Sequence, residues 1–113
     1  IANALGINSI LHEFSGFQFA GNETYPGLQI DLLIDRADGV INLCEIKFSN
    51  AAYKLTSVYK SKLRERAATF SELTNNRKSI FITLITTYGL HNPAVHLDVI
   101  QNVLTLDDLF KPL

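Results

Sequence analysis

The sequence predicts one α/β domain, a mixed β-sheet with flanking helices, spanning residues 1–113. Three observations predict it. Apolar, strand-like runs recur at 28–36, 40–48 and 79–88. A helix-length stretch between the second and third of them repeats apolar residues at helical spacing. The chain of 113 residues is long enough for one hydrophobic core and has no room for a second.

The elements follow in order. Ile1 to Leu5 (IANAL) reads as the last turn of a helix closed by Gly6, because glycine tolerates the positive φ of that cap. A single turn is not stable alone, so the expectation is that the sequence begins inside a longer protein whose first helix is cut. Ser9 to Ala20 alternates loosely and carries Phe14, Phe17 and Phe19, as a first strand would. Gly21 to Gly27 is a turn-rich loop, Leu28 to Arg36 a strand, Asp38-Gly39 a turn signal, and Val40 to Phe48 another strand. Ser49 to Leu55 leads into a helix that runs to about Thr74 and stops at Asn75-Asn76. Ser79 to Tyr88 is almost continuously apolar and β-branched, which fits an interior strand covered on both faces. After a loop at 89–94, Leu97 to Val103 reads as a shorter last strand. Thr105 then caps a short helix whose first turn holds Asp107 and Asp108, where the helix dipole favours them.

Composition narrows the class. With 47% hydrophobic and 19% charged residues the chain is ordinary for a soluble globular protein. No apolar run approaches the roughly 20 residues that span a bilayer, so no membrane partner is expected. No basic-then-apolar leader opens the sequence, and a cytoplasmic protein is the default. One cysteine, Cys44, excludes an internal disulfide and a cysteine-rich zinc site. His12, His91 and His96 lack metal-ligand spacing and read as surface or loop residues. No Gly-rich phosphate loop is present in the sequence.

Charge is segregated. The stretch Lys54 to Lys78 has seven basic and two acidic residues, a net +5, whereas the remainder has three basic and nine acidic, a net −6. A basic helix beside an acidic sheet suits a site that grips a polyanion while binding cations, although a solvated helix face would carry the same charges. On a helical wheel Leu55, Tyr59, Leu63, Phe70 and Leu73 form one apolar stripe. Lys62 and Arg66 fall within it, while Lys60 and Arg64 lie outside. A basic residue inside an apolar face either snorkels outward or meets an acidic partner or a substrate phosphate. Lys60, Lys62, Arg64 and Arg66 are therefore the candidate nucleic-acid-binding residues.

Strand periodicity places Glu45 and Lys47 on one face with Ile41 and Leu43, and Cys44 on the other as a small core residue. Hairpin register decides whether Asp31 joins them. A two-residue turn at Asp38-Gly39 would turn Asp31 away and oppose Leu32 to Glu45. A three-residue loop, Ala37-Asp38-Gly39, puts a glycine at its left-handed last position and matches Leu33 with Leu43 and Asp31 with Glu45. The second register is the one expected. Facing carboxylates repel unless neutralised. Two such oxygen donors suit Mg²⁺ or Mn²⁺, with the Ile46 carbonyl as a further ligand. Such an ion would activate a bound water, and Lys47 would orient or deprotonate it and hold a phosphate oxygen. The plainer alternative is a sheet salt bridge among exposed side chains.

The run GLQIDLLIDRADGVINLCEIKFSN resembles motifs II and III of the PD-(D/E)XK nuclease superfamily, whose core is α-β-β-β-α-β and restriction-endonuclease-like. Further, INLCEIKFS, the LRERAATF helix, FITLITTYGL and LTLDDLF resemble the C-terminal domain of bacterial P-loop ATPases whose ATPase module, of archaeal type, precedes it. The resemblance covers roughly residues 4 to 110. It implies a metal-binding role for Asp31, a second metal ligand in Glu45 and a water-positioning Lys47. It also implies Mg²⁺- or Mn²⁺-dependent hydrolysis of DNA and an N-terminal ATPase module in the same chain. Two positions depart from the pattern: Ile30 stands where the eponymous proline would, and the glutamate of the family's first helix has no counterpart. A catalytically inactive module that binds nucleic acid or a partner and regulates the ATPase is the alternative reading. A structural dimerisation domain is a third.

Overall fold

The computed structural model describes residues 1–2, 4–7 and 9–109. Five strands form one sheet in the order β1 (His12–Phe19), β2 (Leu28–Arg36), β3 (Val40–Lys47), β4 (Ser79–Thr86) and β5 (Ile100–Thr105). The first three pair antiparallel, and β3, β4 and β5 pair parallel, so the sheet is mixed. The long helix α1 (Ser57–Leu73) makes the crossover that a parallel β3–β4 pair requires. The expected α/β architecture of a mixed sheet with flanking helices is the one observed.

The helix starts, as expected, just after the 49–55 lead-in, and Thr56 caps it by accepting the Tyr59 N–H at 3.1 Å. It ends at Leu73, beyond which Asn75 turns the chain at a φ of 50° and Asn76 N–H closes on the Ser71 carbonyl at 2.9 Å. The expected stripe faces the sheet: Leu55, Leu63 and Phe70 are buried, with Tyr59 and Leu73 packed partly against the same clusters. On this side lie Leu33, Ile41, Leu43, Ile82 and Leu84.

The opposite face buries Ile34, Cys44, Ile85 and Leu104 under the N-terminal segment and α2 (Leu106–Leu109). Ile7, 1% exposed, anchors that segment. Hydrogen bonds from Leu5 N–H to Ile1 O and from Ile7 N–H to Ala2 O, with Gly6 at φ 72°, form the helix-terminating cap read from the sequence. Asn3, within that expected turn, and Phe110, at the end of LTLDDLF, lie outside the described residues. Thr105 and Asp108 cap α2 reciprocally, Thr105 N–H to Asp108 Oδ2 at 2.9 Å and Asp108 N–H to Thr105 Oγ1 at 3.2 Å.

Two departures concern the second half. A short 3₁₀ turn, Pro93–His96, overlaps the end of the stretch 89–94 read as loop, and the last strand begins at Ile100 rather than Leu97. Leu97 is 65% exposed, whereas Val99 and Ile100 are buried, so the burial that defines the strand sits further along than periodicity suggested. No described helix is long and apolar enough to cross a membrane.

Candidate active site

The hairpin register is the three-residue-loop register. Leu33 pairs with Leu43 and Leu32 with Cys44, and Gly39 takes the left-handed position at φ 86°. Alternation then aims Glu45 and Lys47 at α1, since Leu43 on the same face packs with Phe70.

Glu45 is 4% exposed, beside Leu84 of β4. A carboxylate this deep needs a partner, and α1 supplies it: Arg66 Nη1 donates to Glu45 Oε1 at 2.7 Å. Arg66 thus takes the acidic partner expected of a basic residue inside the apolar stripe. The second carboxylate oxygen takes no hydrogen bond from a described residue. Burial opposes the Arg66 charge, but the Glu45 hydrogen bond and charge, with Tyr59 adding to them, hold its pKa above the ordinary value.

Tyr59 is the residue that sequence reasoning left in the apolar stripe. Its ring carries Lys47 Nζ at 4.6 Å from the centroid and Arg66 Cζ at 5.9 Å, a shared cation–π platform. The Tyr59 hydroxyl is buried without a hydrogen-bonding partner among the described residues. It nevertheless lies near enough to Lys47 to be the first cause of that ammonium's raised pKa, ahead of the opposing effect of burial. A lysine held above its ordinary pKa stays charged at neutral pH, which suits holding and orienting oxygen more than removing a proton. The signal in the sequence was the spacing of Tyr59 and Arg66, which puts both on one side of the helix.

Asp31 sits differently. The ladder between β2 and β3 stops at Leu32–Cys44, one step short of an Asp31–Glu45 pair. Along the β1 edge the register shifts, so that Asp31 and Leu32 together oppose Gly16 in a β-bulge. The bulge changes which residues face the helix: Leu28 and Ile30 before it join the same cluster as Leu33 after it. Asp31, at the change, is exposed and lines an open hollow with Gly16, Gln18 and Gln29. Among the described residues it makes no side-chain hydrogen bond or ion pair, and none joins it to Glu45, Lys47 or Arg66. No group of three or more His, Cys, Asp or Glu that would hold a metal ion occurs among the described residues. Ile46 packs against the cluster on the far face of the sheet, which leaves its backbone as the group concerned.

The four basic residues divide. Lys62 and Arg66 line a cleft of about 200 Å³ between α1 and Pro26–Leu28, with Glu65 and Thr69. Lys60 and Arg64 lie on the other flank and both bind Asp98, at 2.8 and 2.6 Å. The Asp98 carboxyl is held below its usual range, first by the hydrogen bond from Lys60. Cys44 is fully buried, as expected, and burial pushes its thiol up to about 12.

No family model matches the chain, and no curated protein matches it. Among solved structures, the crystal structure of a protein of unknown function, AF1548, is similar, with a TM-score of 0.59 at 16% identity. The likeness covers 89% of this chain and 52% of AF1548, so the chain spans about half that protein's length. The similarity shows a shared α/β fold.

Proposed function

We propose that this chain is a PD-(D/E)XK-type nuclease domain that hydrolyses DNA phosphodiesters with Mg²⁺ or Mn²⁺, in the cytosol and attached to an N-terminal ATPase module. The observation that carries the reading is a buried Glu45, bonded to Arg66 and sharing a strand face with Lys47 where the ladder to β2 ends, with Asp31 the next residue along β2. Burying an ion pair is costly and is weak evidence for stability, so a functional reason for keeping it is the better account.

The donors are of the type a hard divalent ion takes, but the structure does not bring them together: Asp31 lies in the hollow with Gly16, Gln18 and Gln29, and Glu45 is held by Arg66. Asp31 has both oxygens uncommitted, Glu45 has one, and Ile46 offers its carbonyl. A hard divalent cation that retains several waters takes such a set. When bound, it would supply a water of lowered pKa and stabilise charge on the phosphate. Lys47, anchored on the Tyr59 ring, would orient an oxygen near Glu45, and Arg66 and Lys62 would border the substrate cleft.

A catalytically inactive module that binds nucleic acid or a partner is the second reading. The Arg66–Glu45 pair favours it, because it already neutralises the carboxylate a metal would need. Mn²⁺ titration of the full-length protein separates the two. Binding that is lost in Asp31→Ala supports the nuclease reading, and binding unaffected by that substitution contradicts the assigned ligand set.

A further inference from the structure

The chain leaves the carboxyl ends of β3 and β4 side by side. Their ladder closes at Lys47–Thr86, and beyond it Ser49 N–H still donates to Thr87 Oγ1 at 3.2 Å. One aromatic ring follows on each strand, Phe48 at 77% and Tyr88 at 62% exposure. Tyr53 N–H donates to Gly89 O and His91 N–H to Tyr53 O, both at 2.8 Å, which brings the exposed Lys54 to the same edge. Among the described residues, five of the seven large apolar side chains left exposed fall in segments 48–58 and 88–97, which gathers them into one region. Charge there has one sign. Residues 47–64 hold Lys47, Lys54, Lys60, Lys62 and Arg64 with no acid, and residues 86–97 hold no acid either. Asp98 takes Lys60 and Arg64, whereas Lys47, Lys54 and Lys62 form no ion pair among the described residues.

We propose that this edge binds single-stranded DNA, with the Phe48 and Tyr88 rings stacking on unpaired bases while Lys47 and Lys54 hold the adjoining phosphates. The inference deepens the nuclease reading by naming the form of its substrate, and takes from that reading that the polyanion is DNA. Exposed apolar groups gathered at one place mark an interaction surface. Charge chooses the partner: unpaired ammonium groups with no acid between them attract a polyanion, whereas a protein surface of mixed charge gains less from them. The rings choose the form. Bases in a duplex are covered by their neighbours, but an unpaired base offers its flat face to an aromatic side chain, whatever its sequence. The position agrees, because open α/β sheets bind ligands outside the carboxyl ends of their strands. No metal enters the binding. A strand held on Phe48 lies one residue from Lys47, the group assigned to phosphate oxygen.

The experiment measures, by fluorescence anisotropy of the full-length protein with a chelator present, the affinity for a short labelled oligothymidylate and for a duplex of the same length. Wild type should bind the single strand about tenfold or more tightly than the duplex, and salt should weaken that binding. Phe48→Leu and Tyr88→Leu keep apolar bulk but lose the ring. Each should weaken single-strand binding by about tenfold, the scale of one base stack, and leave the duplex unchanged. Phe48→Trp should bind like wild type. Phe14→Leu, an exposed ring on β1, should change nothing. These rings are exposed, so the variants keep the fold, and an unchanged melting temperature checks it. Equal affinity for single strand and duplex, or leucine variants that bind like wild type, overturns the proposal. Absence of binding to either nucleic acid also overturns it and leaves the edge to a protein partner. Single-strand binding lost in the leucine variants, with no cleavage in Mg²⁺ or Mn²⁺, contradicts the nuclease reading and leaves the surface standing.

Discussion

Arg66 crosses from the middle of the apolar stripe of α1 to Glu45 on β3 and donates to its carboxylate at 2.7 Å. The bond ties the helix to the sheet at a place where a buried acid would otherwise stand without a counter-charge. Its removal should be felt in stability. Arg66→Ala leaves Glu45 buried without its counter-charge and should cost about 2–4 kcal/mol, the lower part of the range reflecting the partial exposure of Arg66. Arg64→Ala removes an exposed pair with Asp98 and should cost less than about 1 kcal/mol. Urea denaturation of both variants checks this, and equal small losses would show that the Glu45 pair holds nothing.

The hairpin register rests on Gly39. At φ 86° a side chain is strained, yet an added Cβ would meet no atom within 4 Å. Gly39→Ala should therefore lose about 1–2 kcal/mol from backbone strain alone, with the fold unchanged. A melting curve with an intact far-ultraviolet spectrum would verify it, and no loss of stability would count against the left-handed loop.

Cys44 gives an alkaline prediction. Burial raises its pKa in the native state from 9.0 to about 12. Below 9.0 both states hold the proton and the thiol contributes no pH dependence. Between 9.0 and about 12 the unfolded chain ionises while the native chain does not, so stability falls as pH rises. Denaturation at rising pH should show a shallower decline in Cys44→Ala than in wild type. A thiol reagent should also modify native Cys44 only as fast as the protein opens, and rapid modification would contradict its burial.

Much of this could be read from the residues because the signals were local. The glycine at the end of Ala37-Asp38-Gly39 chose the register, and the apolar run of β4 announced an interior strand. Arg66 inside an apolar stripe was legible as an anomaly. Its partner was not, because Glu45 lies 21 residues away and only the β3–α1 packing joins them. The bulge at Asp31–Leu32 lies opposite Gly16 on another strand, and strand alternation within β2 gives no sign of it. The same holds for Asn42, wholly buried and bonded through Nδ2 to Thr83 at 3.0 Å and Asn102 at 3.2 Å. With Arg36 of β2 donating to its Oδ1 at 3.2 Å, its partners come from three other strands, and nothing local in β3 marks them. Tyr59 was assigned to the core by spacing, and its role beneath Lys47 needed the third dimension.

Cleavage of DNA by the full-length protein, with Mg²⁺ or Mn²⁺ supplied, tests the central claim most directly. The expected result is cleavage that a chelator stops and that Lys47→Ala reduces by at least about 100-fold, the scale of losing one group that stabilises developing charge. Wild-type protein that binds DNA yet leaves it uncut in either metal would contradict it and favour the regulatory module.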